Sequence, residues 1–190
     1  MIRSPVSAAL LAAALAAPVL AQPALAQDAP AQESPTAAAP EMPSGTASFV
    51  DAEGAEIGAA TLTGMPHGVL IGLDLKGLPA NGWVAFHVHE GEICEPDTRF
   101  ESAGGHLNLT DTDHGYMSQN GPHSGDMPNQ HVGSDGVLKS EVFNSFVLLG
   151  DGPTGILGKT LMIHAEPDDY SSQPAGAAGE RLACAVIEPA

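Results

Sequence analysis

Positive charge is scarce in this 190-residue chain: 6 Lys and Arg stand against 23 Asp and Glu, for a formal net charge of −17. A surface so acidic repels phosphate backbones, which argues against nucleic-acid partners. Aromatic residues contribute only 4% of the chain, and Trp83 is the single tryptophan. It reads as a core residue, with a subunit contact as the alternative, since aromatics are enriched in interfaces. Cysteine is nearly absent too, with only Cys94 and Cys184. In an exported chain an even pair reads most simply as one disulfide, here joining a long loop to the last strand. Two thiolate metal ligands are the poorer reading, because neither cysteine has a C-x-x-C partner. No helix of ordinary length is evident in the apolar periodicity.

The one long apolar stretch lies at the start and is interrupted by Pro5, Pro18 and Pro23. Arg3, the Ala/Leu/Val run to Leu20 and the small-x-small Ala24–Ala26 read as a secretory signal over residues 1–26, with Ala21 a second possible cleavage point. No stop-transfer charge cluster follows, so a membrane anchor is the weaker reading and the mature form is expected to have no membrane span. Loss of Arg3 with the signal makes the mature chain one unit more negative. Residues 27–44 are rich in Ala, Pro, Gln and Glu without periodicity, which predicts a disordered linker. The domain itself is expected over 45–190, enough for one β-sandwich or barrel core.

Within that domain, runs of β-formers fall at Thr46–Val50, Glu56–Thr63, Val69–Lys76, Trp83–Glu90, Val137–Phe143, Thr160–His164 and Leu182–Ile187. Turn signals such as Glu53-Gly54, His67-Gly68 and Ser134-Asp135-Gly136 separate them. The pattern is all-β. Two long loops, roughly Gly91–Val132 and Ala165–Glu180, interrupt it, and loops of that length in a small domain are usually functional.

Histidines concentrate in and beside those loops. In Phe86–Glu90 (F-H-V-H-E) strand alternation projects His87 and His89 from one face while Phe86 and Val88 enter the core. Imidazole nitrogens suit copper and zinc. His106, His114, His123 and Asp126 share one loop, and three histidines with one carboxylate make a closed tetrahedral site typical of zinc. His164 follows far downstream in L-M-I-H. His67 and His131 sit beside turn residues without ligand neighbours and read as structural or solvent-exposed.

Taken together, F-H-V-H-E, Cys94, S-A-G-G-H-L-N at Ser102–Asn108, G-P-H-S-G-D-M-P-N at Gly121–Asn129, L-M-I-H-A-E-P-D-D at Leu161–Asp169 and G-E-R-L-A-C-A-V-I at Gly179–Ile187 resemble a copper/zinc superoxide dismutase of the bacterial exported, periplasmic kind. The resemblance spans about Ser44 to Ile187. It implies an eight-stranded Greek-key β-barrel, one copper and one zinc per subunit, and dismutation of superoxide to oxygen and hydrogen peroxide. Copper would be held by His87, His89, His106 and His164, and zinc by His106, His114, His123 and Asp126, with His106 as the imidazolate bridge. Copper is then the redox metal, since zinc has no accessible second oxidation state, and His106 can carry a proton. Asp168 would link a copper histidine to a zinc histidine from the outer shell. Arg181 would face the copper channel, and Cys94–Cys184 would be the disulfide. A homodimer is possible within the family.

The composition sits awkwardly with an anionic substrate, because the net field repels superoxide at long range. The second long loop also lacks the lysines that often steer superoxide in related enzymes. Arg99 could help if its loop folds towards the channel. The alternative function is a periplasmic copper/zinc binding protein without turnover, which would need the ligands but neither Arg181 nor Asp168. A metal-stabilised adhesion or interaction domain ranks third, because it would tolerate loss of a ligand.

Overall fold

A computed structural model describes residues 41–190. The expected signal segment and residues 27–40 of the expected linker lie outside the described residues. The linker's last residue, Ser44, already opens the first strand.

Strand β1 (Ser44–Asp51), β2 (Glu56–Met65) and β3 (Gly68–Leu75) form an antiparallel meander. Then come β4 (Trp83–Val84), β5 (Phe86–His89), β6 (Gln130–His131), β7 (Leu138–Asn144), β8 (Thr160–His164), β9 (Arg181–Val186) and β10 (Glu188–Pro189). The main eight-stranded sheet runs β5-β8-β9-β1-β2-β3-β7, with β10 also pairing β1, while β4 and β6 pair separately. Alternation explains the core. In β1 and β3 every second residue is buried, and Phe49, Leu62, Ile71 and Leu138 from one half of the sheet meet Phe86, Val88, Leu161 and Ile163 from the other in one apolar cluster. The sheet therefore curls around its own apolar face, which is the barrel solution to burying it.

The run expected at Trp83–Glu90 is two strands. Ala85 breaks it: its N–H donates to the Glu166 carbonyl at 3.0 Å and its carbonyl accepts from His164 N–H at 3.0 Å. The expected core position of Trp83 is corrected by the same break. Trp83 belongs to the small β4–β6 sheet, where Val84 faces inward, and its side chain is 55% exposed, edge-on to His131.

Of the long connections, the first, between His89 and Gln130, contains only two 3₁₀ turns, Pro96–Thr98 and Glu101–Ala103. It docks on the open edge of β5: Val88 N–H donates to Gly125 O, Leu107 N–H to Val88 O and Glu90 N–H to Gly105 O, at 2.8–2.9 Å. The Cys94–Cys184 disulfide ties it to β9. The second, residues 165–180, is zipped at its neck by Ala165 N–H to Glu180 O and Glu166 N–H to Ala178 O.

Candidate metal centre

Strand pairing decides where the histidines meet. β5 carries His87 and His89 and lies against β8, whose last residue is His164. On its other edge, single bridges set His87 opposite Asp126 and His89 opposite His106. Two groups result: His87, His89, His106 and His164, and His106, His114, His123 and Asp126. All members are buried, and within each group the nitrogen or oxygen atoms lie within 4.8 Å of one another. His106 belongs to both, its ring centroid 4.0 Å from that of His87 and 5.0 Å from that of His114.

The second group is arranged around one atom. Asp126 Oδ1 lies 2.9, 3.1 and 3.5 Å from the Nδ1 atoms of His106, His114 and His123. A tetrahedron of zinc bonds has edges of about 3.3 Å, so these separations fit that ion. Asp126 Oδ2 accepts from the backbone N–H groups of Gly115 and His123. In the first group His89 Nε2 and His164 Nε2 face each other at 3.3 Å. His89 Nδ1 pairs with the Gly104 carbonyl at 3.0 Å, which as the ring's donor leaves Nε2 its acceptor.

Buried polar atoms are ordinarily paired, and leaving one unpaired costs about 1–3 kcal/mol. Here the unpartnered ones gather in these rings: His87 Nδ1, His106 Nε2, His123 Nδ1 and His164 Nδ1, with Thr160 Oγ1 the only other among the described residues. Such a donor set fits copper in the all-imidazole group and zinc in the group with a carboxylate.

Asp168 bridges the groups. Its Oδ2 is 2.9 Å from His87 Nε2 and its Oδ1 3.0 Å from His114 Nε2. Burial pushes His87 down to about 4 and His164, beside two other rings, to about 3. His89 is held well below its ordinary value by the same desolvation. At His114 burial acts downward, but Asp126 and Asp168 outweigh it and raise the ring to about 9. Burial would raise the two carboxyls, yet their histidine hydrogen bonds hold both below the usual carboxylate range.

Arg181 pairs with His164 in the β8–β9 register. Its guanidinium donates to the carbonyls of Phe100 and Gly104, and Gly104 O is the same atom that meets His89. Arg99 pairs with Glu180 at 3.3 Å on the exposed surface and lines the same 560 Å³ cleft as Arg181. His67 and His131 are exposed and outside both groups. The sequence reading missed Asn129, Tyr170 and Gln173, which hold Asp168 and His114 from outside. The only signal was Asn129 closing the G-P-H-S-G-D-M-P-N motif.

Two buried groups of candidate metal ligands sharing one imidazole, carried on an all-β barrel, make a candidate two-metal centre. The family described as copper/zinc superoxide dismutase matches residues 44–187. A superoxide dismutase [Cu-Zn] of Aquifex aeolicus is 47% identical over 145 residues, covering 74% of this chain and 84% of that one. Among solved structures, a superoxide-dismutase-like protein from Bacillus subtilis matches with a TM-score of 0.70 at 32% identity, covering 74% of this chain and 95% of that one. The Cu/Zn superoxide dismutase from Brucella abortus matches with a TM-score of 0.61 at 29% identity, over 76% and 99%. The chain belongs to the copper/zinc superoxide dismutase family.

Proposed function

We propose that His87, His89, His106 and His164 hold copper, that His106, His114, His123 and Asp126 hold zinc, and that the chain uses them to dismutate superoxide. The observation that carries this reading is His106, a member of both groups. Two superoxide anions and two protons give one oxygen and one hydrogen peroxide. Bound copper supplies a one-electron couple, and bound zinc a fixed Lewis acid.

The chain's own groups do the rest. Arg181 gives two of its five donors to backbone carbonyls, which fixes the guanidinium and leaves other donors for an anion. His106 is anchored at Nδ1 beside Asp126, so Nε2, which has no protein partner, is the atom that takes up and releases a proton. Asp168 holds His87 and His114 in register with one oxygen each and thereby sets their tautomers.

Disulfides persist in oxidising compartments, and Cys94–Cys184 fits a chain that works outside the cytoplasm. The finer reading is export to the periplasm with removal of residues 1–26, a linker from residue 27 up to β1 and the catalytic domain from Ser44 onward; the mass of the mature protein recovered from a periplasmic fraction tests it. The exposed Trp83 supports a homodimer contact, checked by sedimentation of wild type beside Trp83→Ser. The acidic surface argues against nucleic acid.

The deciding experiment measures superoxide dismutation by the copper- and zinc-loaded protein beside His89→Ala and Arg181→Ala. The expected result is abolition by His89→Ala and a fall of about tenfold or more with Arg181→Ala at unchanged metal content. Metal binding without turnover would move the assignment to metal storage.

A further inference from the structure

Each long loop sends one side-chain amide across to the backbone of the other. Asn129, at the end of the first loop, accepts from Asp168 N–H through Oδ1 and donates to Asp168 O through Nδ2, both at 2.8 Å. Gln173, in the second loop, accepts from His114 N–H through Oε1 and donates to His114 O through Nε2, both at 2.9 Å. The two clamped residues are partners: His114 Nε2 meets Asp168 Oδ1 at 3.0 Å. A primary amide carries a donor and an acceptor side by side, as a paired β-strand residue does. Each amide therefore satisfies a full backbone unit that the loop's irregular path leaves without a ladder. Tyr170 closes the arrangement, its hydroxyl accepting from Asn129 N–H and its own N–H donating to Asp168 Oδ1.

We propose that Asn129 and Gln173 are reciprocal positioning residues, which lock the His114–Asp168 link from both sides so that the two long loops order as one unit. The proposal rests on the zinc assignment to His114. It assigns these amides a task that the ligand set alone does not require: if one loop releases, the other loses the partner that holds its site residue. Asn129 is half-buried and Gln173 is exposed, so water competes more at Gln173 and its removal is the milder perturbation.

The test uses the purified full chain and zinc(II) titrated against a competing chelator, with Asn129→Ala, Gln173→Ala and the double variant. Outer-shell changes typically weaken metal affinity by about 10–100-fold. The expected loss is about tenfold for Asn129→Ala and smaller for Gln173→Ala, with the double variant falling short of the product of the two because both act through one link. Amide hydrogen exchange supplies the readout that a local packing role would not move. In the zinc-loaded protein, Gln173→Ala should speed exchange at Asp168 and Tyr170, and Asn129→Ala at His114 and Gly115. Losses that multiply, or exchange that rises only at the amide each side chain touches, would overturn the proposal. A wild-type chain that binds no zinc would overturn the zinc assignment itself.

Discussion

Gly176→Ala is expected to disable the outer shell of the centre without touching a ligand. Gly176 is buried in the second long loop at φ +69, and its backbone is pinned by Gly176 N–H to Ser172 O at 2.7 Å and by Asp169 N–H to Gly176 O at 3.0 Å. A Cβ there would overlap Asp168 Oδ1 and stand 2.6 Å from His114 Nε2. Asp168 would have to leave the position in which it joins His87 to His114. An L-residue in the left-handed region costs about 1–2 kcal/mol. Breaking a charge-assisted buried hydrogen bond adds about 1.5–3 kcal/mol. The sum, about 2.5–5 kcal/mol, corresponds to a melting temperature lower by on the order of 10 °C for a domain of this size. Zinc affinity should fall about 10–100-fold. Calorimetry and chelator competition measure both effects, with Gly158→Ala separating the backbone strain from the clash, since Gly158 also has positive φ (+80) but meets nothing within 4 Å. A Gly176→Ala protein that melts with wild type and holds zinc as tightly would refute the reasoning.

Salt should leave the dismutation rate flat or raise it, because the net charge of −17 repels the substrate and screening removes that repulsion before it weakens Arg181 at close range; a steep fall with ionic strength would contradict this. Replacing Cys94 and Cys184 with alanine opens a loop of sequence separation 90 and should cost up to about 4–5 kcal/mol in urea unfolding, with dismutation falling as the segment holding Arg181 loosens. In the metal-free protein, His87 and His164 titrate in the fold near 4 and 3, below their unfolded value of 6.5. Their contribution is therefore intact above 6.5 and lost as pH falls below it, in the same direction as the depressed Asp126 and Asp168 carboxyls. His114, raised to about 9, contributes below 6.5 and loses that contribution as pH rises through 9. Thermal melts across pH should fall on both sides, and a melting temperature independent of pH would contradict both shifts.

What was legible in the sequence was what spacing and residue type encode directly. H-x-H on a strand, and three histidines with an aspartate in one loop, carry their own geometry, and the structure brings those six residues together with His164. The strand runs were legible through β-formers and turn residues. The division at Ala85 was not, because nothing local distinguishes a residue whose hydrogen bonds go to Glu166 and His164 rather than along a ladder. Trp83 was misread for a related reason: a large apolar side chain suggests the core, but a two-residue strand in a side sheet offers no inner face large enough to take it. Asn129 and Gln173 are ordinary loop residues by composition. Their partners lie 39 and 59 positions away, a separation that no local pattern reports.

The zipped neck of the second long loop has a consequence for how this fold can vary. Ala165, Glu166, Ala178 and Glu180 close the base in regular hydrogen bonds, and Ala85 fastens that base to the strand boundary. Length changes between the neck and the tip need not propagate into strand register, and lengthening a closed loop costs only about 0.6 kcal/mol per doubling. Pro174 and Ala175, which line a cleft with His164 and take no part in the Tyr170 and Gln173 contacts, are then where insertions could reshape the rim beside the centre while the barrel stays intact, so a graft there would reveal how far the rim governs access.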